Sequence, residues 1–242
     1  MALIRKMPSC LLSLSRWTTR SSALLFFTVV LCRASGASAL ETSLYKAPLP
    51  SLPDSVWDRL RTGEVVVLEE DYSIEDNDRS YADVVQLVLI EAPSREVFTI
   101  VDDCARFIEF MPNTDKVTLL DGWGESTEVN ARLWRFDLSV AFLTVTYFPI
   151  TVSDPDNLVV NLDLHQELKS DLKMSVGHWW LYPLDNDTRT LIVYALRAEN
   201  RWPLPRFVEQ YAAETGLRGI LANTRNRVLS GGTWKTGDPP PP

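Results

Sequence analysis

The sequence of 242 residues predicts an α+β fold, in which a curved antiparallel sheet packs against one long C-terminal helix. Two short helical patterns follow an early strand, strand-like segments with short polar connections fill the middle of the chain, and a final segment has apolar residues at helical spacing. Strands and helices that are segregated along the chain are typical of this fold class. A curved sheet around a helix leaves a space between them, which is a natural ligand site.

The N-terminal residues have the features of a targeting segment. Basic residues from Arg5 to Arg20 precede the uncharged apolar run Ala23–Cys32, and small residues up to Ala39 form an A-x-A cleavage pattern. We therefore predict a signal peptide at 1–39 and an exported protein, periplasmic or secreted. An organellar presequence is the alternative, because the segment is rich in Arg and Ser and free of acids. Permanent anchoring is the weaker interpretation, since the apolar run is about half as long as a membrane-spanning helix.

The next part of the chain predicts a linker, one helix and two strands. Residues 40–53 hold three prolines and no periodicity, which predicts a linker into a domain at 54–230. Asp54 can cap a short helix that runs through Leu60. Valine-rich or alternating runs predict strands at 64–69 and 81–91.

Two short helices and a series of strands follow. Pro93 and Ser94 are good first residues of a helix, and a second helical pattern at 104–111 ends at Pro112. Turn signals such as Asp154-Pro155-Asp156-Asn157 then separate strand-like segments, and short connections of this kind build antiparallel meanders. The predicted strands are 128–138, 142–152, 158–164, 174–184 and 191–199.

The C-terminal part predicts one long helix and a tail. Apolar residues recur at helical spacing from Pro203 to Leu229. Gly216 and Gly219 either kink this helix or let its backbone approach the sheet closely. The tail at 231–242 ends in a run of prolines, and we predict it to be disordered.

The composition excludes two classes of protein. Hydrophobic residues make up 45% of the chain and aromatic residues 10%, which is enough for a packed core and excludes global disorder. Five of the 24 Lys and Arg residues and none of the 32 Asp and Glu residues lie in the first 39 positions, so the rest of the chain carries 19 cations against 32 acids. A body this acidic repels phosphate backbones and anionic membranes, so we expect no nucleic-acid partner.

The chain carries no strong catalytic or metal motif. Its only histidines, His165 and His178, come without an H-E-x-x-H, G-x-S-x-G, G-x-G-x-x-G, P-loop or C-x-x-C pattern. The adjacent Asp102 and Asp103 point about 100° apart on a helix, so we predict helix capping rather than a catalytic carboxylate pair. Cys104 is the only cysteine outside the predicted signal peptide, and its hydrophobic surroundings predict a core residue. We therefore expect no metal and no cofactor.

Three motifs in this order resemble the START-like, polyketide cyclase/dehydrase (SRPBCC) superfamily. The segments Ala92–Phe98, Asp103–Pro112 and Gly177–Leu184 match its A-P/S-x-x-x-V-F, D-x-x-x-Y/F-x-x-F-x-P and G-x-W-x-L-x-P-L patterns. The nearest subgroup in pattern is the coenzyme Q-binding START-like proteins. This resemblance implies a helix-grip fold with a hydrophobic tunnel for a lipid, quinone, sterol or polyketide-like ligand. It implies no single chemistry, because the fold hosts binders, carriers, cyclases and hydrolases.

Aromatic and apolar side chains are the candidate ligand contacts. On alternating strands Trp134 shares a face with Phe136, and Trp179 shares a face with Leu181, which turns His178 to the outer side. Aromatic rings suit a tunnel that holds a ring-bearing ligand, and the alternative is that they only fill the core. Arg135 and Arg197 are candidates for a headgroup contact, although alternation turns Arg135 toward solvent. The predicted ligand-binding residues are Trp134, Phe136, Trp179, Leu181, Tyr194, Phe207 and Tyr211.

These observations predict a non-catalytic module that binds or carries a hydrophobic small molecule, with access near Asp154, Asp171 and the start of the last helix. Transient membrane contact is compatible with this role. One alternative is a cyclase or aromatase-type enzyme, which a polar cluster including His178 or Tyr194 inside the cavity would favour. The other is a protein-interaction module with a filled core and no cavity.

Overall fold

The computed structural model describes residues 46–71, 74–75, 79–120 and 130–241. The predicted signal peptide at 1–39 and the start of the predicted linker lie outside these residues. The first half contains α1 (Asp54–Arg61), β1 (Val66–Asp71), β2 (Ile74–Glu75), β3 (Arg79–Ile90), α2 (Ser94–Asp102), a 3₁₀ turn (Cys104–Arg106) and α3 (Phe107–Phe110). Then come β4 (Thr114–Leu119), β5 (Asn130–Val140), β6 (Leu143–Tyr147), β7 (Pro149–Asp154), β8 (Val159–Leu164), β9 (Leu172–Leu184) and β10 (Arg189–Asn200). The last helix comprises α4 (Arg206–Tyr211), a π-helical segment (Ala212–Leu217) and α5 (Arg218–Leu229).

The described strands form one antiparallel sheet in the order β1-β3-β10-β9-β8-β7-β5-β4, with β2 beside β3 and β6 beside β5. Strand β5 pairs with β7 from Asn130 to Leu133 and with β6 from Phe136 to Val140. Both pairings follow one register, so β6 and β7 are successive parts of one partner of β5, and the curved sheet surrounds the last helix. The predicted α+β helix-grip fold is confirmed.

The sheet has a buried core on each face, because successive side chains of a strand point to opposite sides. On the inner face, residues such as Trp179 and Ile192 pack against α2, α3 and α5. On the outer face, Trp180 and Leu191 pack against Leu60 of α1. All helices were expected on one face, and α1 differs because Leu60, Val56 and Trp57 give it an apolar side that the outer face of the sheet covers.

The last helix begins at Arg206 rather than at Pro203, because Pro205 disfavours a helical conformation for the residue before it. Its two glycines allow a close approach, although to a loop and not to the sheet. A Cβ atom on Gly219 would lie 3.3 Å from the Pro112 ring, and one on Gly216 would lie 3.3 Å from Asn113 Nδ2. Within the described ranges, none of the helices combines the length and apolar character needed to cross a membrane.

Two strand predictions differ from the structure. The predicted strand 142–152 is two strands, β6 and β7, which pair with β5 in one register; the pairing is interrupted between Tyr147 and Ile150, where Pro149 has no backbone N–H to donate. Strand β4 was not predicted, since only Val117 and Leu119 give it an apolar face and it lies at the edge of the sheet.

Residues 46–53, the described part of the predicted linker, lie against the outer face of the sheet. Lys46 Nζ donates to the Leu181 carbonyl at 2.5 Å, and the Tyr182 hydroxyl donates to the Ala47 carbonyl at 2.6 Å. Leu52 packs against the outer core. This segment therefore forms part of the domain surface as well as a connection.

The tail was expected to be disordered, and residues 231–241 are instead docked on the domain. Gly231 and Gly232 have φ angles of 65° and 80°, which turn the chain back at the end of α5. Trp234 is buried in the inner core, and its carbonyl accepts a hydrogen bond from Arg227 at 2.7 Å. The proline-rich composition predicted disorder, but burial of the Trp234 side chain holds this segment on the domain.

Candidate ligand-binding cavity

A cavity of about 260 Å³ lies between the inner face of the sheet and the C-terminal helix. Strands β5, β6, β9 and β10 form one wall, the loop after α3 forms part of the floor, and the helix closes the opposite side. Most of its lining is apolar, and none of the described lining residues carries a charge. Typical lining residues are Phe107, Met111, Leu138, Val145, Leu196, Val208 and Ile220.

Aromatic rings form the inner part of the wall. Trp179 and Tyr194 are opposite one another on β9 and β10, and their ring centroids lie 4.5 Å apart. Phe136 and Tyr147 are opposite on β5 and β6, with centroids 5.3 Å apart. Alternation along each strand turns all four rings inward, so a bound molecule meets aromatic surface on two sides.

The helical wall contains the π-helical segment at 212–217. Ala212, Gly216 and Leu217 of this segment line the cavity. A π-helical turn widens the helix locally and is common at functional sites. Small side chains at two of these three positions keep space open beside the sheet.

Two tyrosine hydroxyls are the polar groups at the aromatic end of the cavity. Burial raises the pKa of Tyr194 and of Tyr147. Both stay protonated at neutral pH and can donate a hydrogen bond. Both tyrosines line the cavity.

Exposed aromatic side chains surround the opening of the cavity. Phe142 at the β5–β6 turn is 70% exposed, and its ring lies 5.7 Å from that of Phe207, which is 57% exposed at the start of the last helix. Trp202 is also exposed nearby in the sequence. The Asp171 side of the predicted access route is at this end, where Asp171 accepts from the Thr146 backbone. The turn after Asp154 lies at the other end of the sheet, where Asp156 pairs with Arg95 of α2.

The structure brings together three of the seven predicted ligand contacts. Phe136, Trp179 and Tyr194 line the cavity. Trp134 and Leu181 are buried in the inner core outside its lining, and the Trp134 indole donates to Thr151 Oγ1 at 2.9 Å. Phe207 and Tyr211 lie on the exposed side of the helix. Tyr147 was missed, although the alternation Leu143, Val145, Tyr147 was a signal that could have found it.

The polar residues that were considered for chemistry lie outside the cavity. His178 is on the outer face, where its Nδ1 is 2.8 Å from Asn161 Oδ1, its ring stacks on Trp180, and burial lowers its pKa. Arg197 pairs with Asp83, and Arg135 pairs with Asp137. These contacts leave both arginines directed away from a ligand.

The acidic pair and the cysteine have structural roles. Asp102 binds Arg132 at 2.9 Å, and Asp103 lies 3.4 Å from Arg106, so the predicted helix capping by their side chains is wrong: both are held by ion pairs. Cys104 is buried in the inner core, where burial raises the pKa of its thiol. Within the described ranges no group of three or more His, Cys, Asp or Glu residues is arranged to hold a metal.

Comparison with known sequences adds to this geometry. Residues 90–223, more than half of the chain, match the family described as polyketide cyclase / dehydrase and lipid transport. The chain belongs to this family. The predicted superfamily is thereby confirmed, whereas the nearer likeness to coenzyme Q-binding members stays a prediction. No curated protein sequence matches the chain.

Solved structures share the fold. A protein of Thermus thermophilus is 17% identical with a TM-score of 0.52, and the match covers 62% of this chain and 99% of that one. A STAR-related lipid transfer protein from Xanthomonas axonopodis is 14% identical with a TM-score of 0.50, covering 66% and 98%. The Zhui aromatase/cyclase from Streptomyces sp. R1128 is 19% identical with a TM-score of 0.48, covering 61% and 96%. The first two structures, with TM-scores of 0.52 and 0.50, establish the fold and not a ligand.

Proposed function

We propose that this family member binds and carries a hydrophobic small molecule, such as a lipid, quinone, sterol or polyketide-like compound, in the cavity between the sheet and the C-terminal helix. The observation that carries the proposal is the lining itself, which is mostly apolar and has no charged side chain among the described residues. A ring-bearing ligand that buries about 200 Å² of apolar surface gains on the order of 5 kcal/mol before the cost of association.

The cavity supports a binder more than a cyclase-type enzyme. Proton transfer at neutral pH needs an acid or base whose pKa lies near 7. The titratable groups that line the cavity are tyrosines, and burial raises their pKa further from neutrality. His178, the candidate acid or base, lies on the other face of the sheet. The presence of a cavity also argues against an interaction module with a filled core.

Filling the cavity is expected to remove bound ligand. Ala198 lines the cavity, so Ala198→Trp places an indole in the space where the ligand would lie. The protein is purified gently, and any co-purified molecule is identified by native mass spectrometry and organic extraction. We expect one apolar molecule per wild-type protein, and at least about tenfold less of it per protein in this variant.

The matched control is Ala195→Trp, which adds the same group on the same strand but on the opposite face. It is expected to retain the ligand at the wild-type level. If the wild-type protein carries no apolar molecule after incubation with a lipid extract, the carrier proposal is wrong and the interaction module is favoured.

We further propose that the ligand is exchanged at a membrane surface. A carrier of an insoluble molecule must release it into an apolar phase, and the exposed rings of Phe142 and Phe207 lie at the opening of the cavity. Because residues 40–242 are acidic, a zwitterionic bilayer suits this contact better than an anionic one.

The F142S/F207S double variant is expected to lower binding to phosphatidylcholine vesicles at least about tenfold in a co-sedimentation assay, because burying each ring contributes to membrane affinity. Leu49→Ser removes an exposed apolar side chain of another surface segment and should leave vesicle binding unchanged. Equal vesicle binding by the wild type and the double variant would rule out a membrane contact through these rings.

Export is a separate proposal that depends on residues 1–39. If this segment is a signal peptide, N-terminal sequencing of the mature protein should begin at Leu40, and the protein should appear in an exported fraction. An uncleaved N-terminus would contradict it, and cleavage together with recovery from an organelle would favour the presequence.

A further inference from the structure

The floor of the cavity is built on α3, a helix of only four residues. Phe107 begins this helix, Met111 and Pro112 follow it directly, and all three line the cavity. A single helical turn has few hydrogen bonds of its own and is not stable in isolation. The position of these lining side chains therefore depends on what holds α3 from outside.

The docked tail supplies part of that support. The Thr236 backbone N–H donates to the Glu109 carbonyl at 3.0 Å, and the Thr236 hydroxyl donates to the Phe110 carbonyl at 3.0 Å. Asn223 of α5 donates a second hydrogen bond to the Phe110 carbonyl at 2.7 Å. The last carbonyl groups of a helix have no partner within it. For α3, the tail and α5 provide these partners.

The Arg227 guanidinium joins the tail to the same helix. Its Nη1 donates to the Trp234 carbonyl and its Nη2 donates to Glu109 Oε2, each at 2.7 Å. Arg227 is 1% exposed, and its guanidinium lies 5.4 Å from the centre of the Phe110 ring. Buried charged hydrogen bonds hold a fixed geometry, because leaving either group unpaired is costly. Arg227 therefore fixes Trp234 and α3 relative to each other.

Aromatic contacts continue from α3 to the cavity. The Phe110 ring lies 5.6 Å from the Phe107 ring, which in turn lies 6.2 Å from the Phe136 ring in the sheet wall. Phe107 and Phe136 line the cavity, whereas Trp234 and Thr236 are not among its described lining residues. The tail is therefore connected to the cavity lining only through other packed side chains.

We propose that Trp234 and Thr236 are positioning residues for the cavity, which hold α3 in place, keep its floor closed over a bound ligand and slow the release of that ligand. Segments that are held by few contacts open locally more often, so the release rate depends on these contacts. This inference rests on the proposed function, because it concerns ligand release from the same cavity. It assigns a role to residues outside the segment 90–223 that matches the family.

Release of an uncharged fluorescent probe measures this effect. N-phenyl-1-naphthylamine suits an apolar lining without charged groups, and its fluorescence rises in apolar surroundings. The full chain is loaded with this probe, and the rate constant of dissociation is measured by stopped-flow fluorescence after rapid dilution. The Ala198→Trp variant shows which part of the signal comes from the cavity.

Trp234→Ala is expected to raise the dissociation rate constant at least about fivefold, because α3 loses the support of the tail. Thr236→Val keeps the backbone hydrogen bond and removes only that of the hydroxyl, so an increase of about threefold is expected. The matched control is Leu60→Ala, which lowers the free energy of unfolding by a comparable amount in the outer core. Its rate constant should stay within about 1.5-fold of the wild-type value.

The outcomes separate this inference from the proposed function. Equal acceleration by Trp234→Ala and Leu60→Ala would mean that the tail adds only global stability, and the inference would be wrong. If circular dichroism shows that Trp234→Ala does not fold, Thr236→Val decides, and an unchanged rate constant in that variant overturns the inference. A wild type that does not bind the probe, or binds it no better than Ala198→Trp does, would contradict the proposed ligand cavity and this inference with it.

Discussion

Trp234→Ala is expected to lower the free energy of unfolding by about 3–5 kcal/mol, as for other buried aromatic residues cut back to alanine. The Trp234 side chain is buried in the inner core, and its indole donates to the Pro239 carbonyl at 3.0 Å. Its loss leaves a void beside α5 and releases the docked tail. Urea denaturation followed by circular dichroism measures the change.

The control is Trp202→Ala, because Trp202 is 64% exposed and its removal should cost less than about 0.5 kcal/mol. Equal stability of the two variants would mean that the tail is not docked in solution. Deletion of residues 233–242 should destabilise the protein at least as much as Trp234→Ala, since it also removes the hydrogen bond from the Thr236 backbone to the Glu109 carbonyl.

Glu109→Ala is expected to lower the free energy of unfolding by about 3 kcal/mol. Arg227 is 1% exposed, and its Nη2 donates to Glu109 Oε2 at 2.7 Å. Without the carboxylate, a buried guanidinium keeps its charge with no counterion, and that is the costly state. Urea denaturation at pH 7 checks the magnitude, and Glu167→Ala, which removes an exposed acid, should change stability by less than about 0.5 kcal/mol.

The same pair predicts a pH dependence. The hydrogen bond from Arg227 holds the pKa of Glu109 below its usual value of 4.5 in the folded protein. The folded state therefore binds this proton less readily than the unfolded state, so the stabilisation is present above about pH 4.5 and is lost as the pH falls through the lower folded-state pKa. The difference in stability between wild type and Glu109→Ala should shrink over that acidic range. A difference that stays constant from pH 7 to pH 3 would contradict the ion pair.

Strand periodicity predicts most of the fold and part of the cavity lining. The alternation in Gly177–Leu184 placed Trp179 inward and His178 outward, and the structure has both on those faces. Local patterns also gave the order of elements, because short connections restrict neighbouring strands to antiparallel pairs. What they could not give is depth: Trp134 and Trp179 share the inner face, yet only Trp179 reaches the cavity.

The features that were missed depend on contacts distant in sequence. The alternation in β6 indicates which face Tyr147 takes, but that this face lines a cavity depends on β9, β10 and the last helix, which are distant in sequence. The carbonyl of Trp234 accepts a hydrogen bond from Arg227, which also pairs with Glu109, 118 residues away in the sequence. Composition averages over such a segment and does not reveal one anchoring side chain within it.

Alternate residues of one strand belong to different cores of this protein, because the sheet has a buried core on each face. Val193 and Tyr194 are neighbours in sequence, but the first packs in the outer core and the second lines the cavity. Substitutions at alternate positions of one strand can therefore change what the protein prefers to bind while the other core keeps the domain folded. Because Tyr194 also belongs to the inner core, a larger or smaller side chain there changes the packing of that core as well as the shape of the cavity.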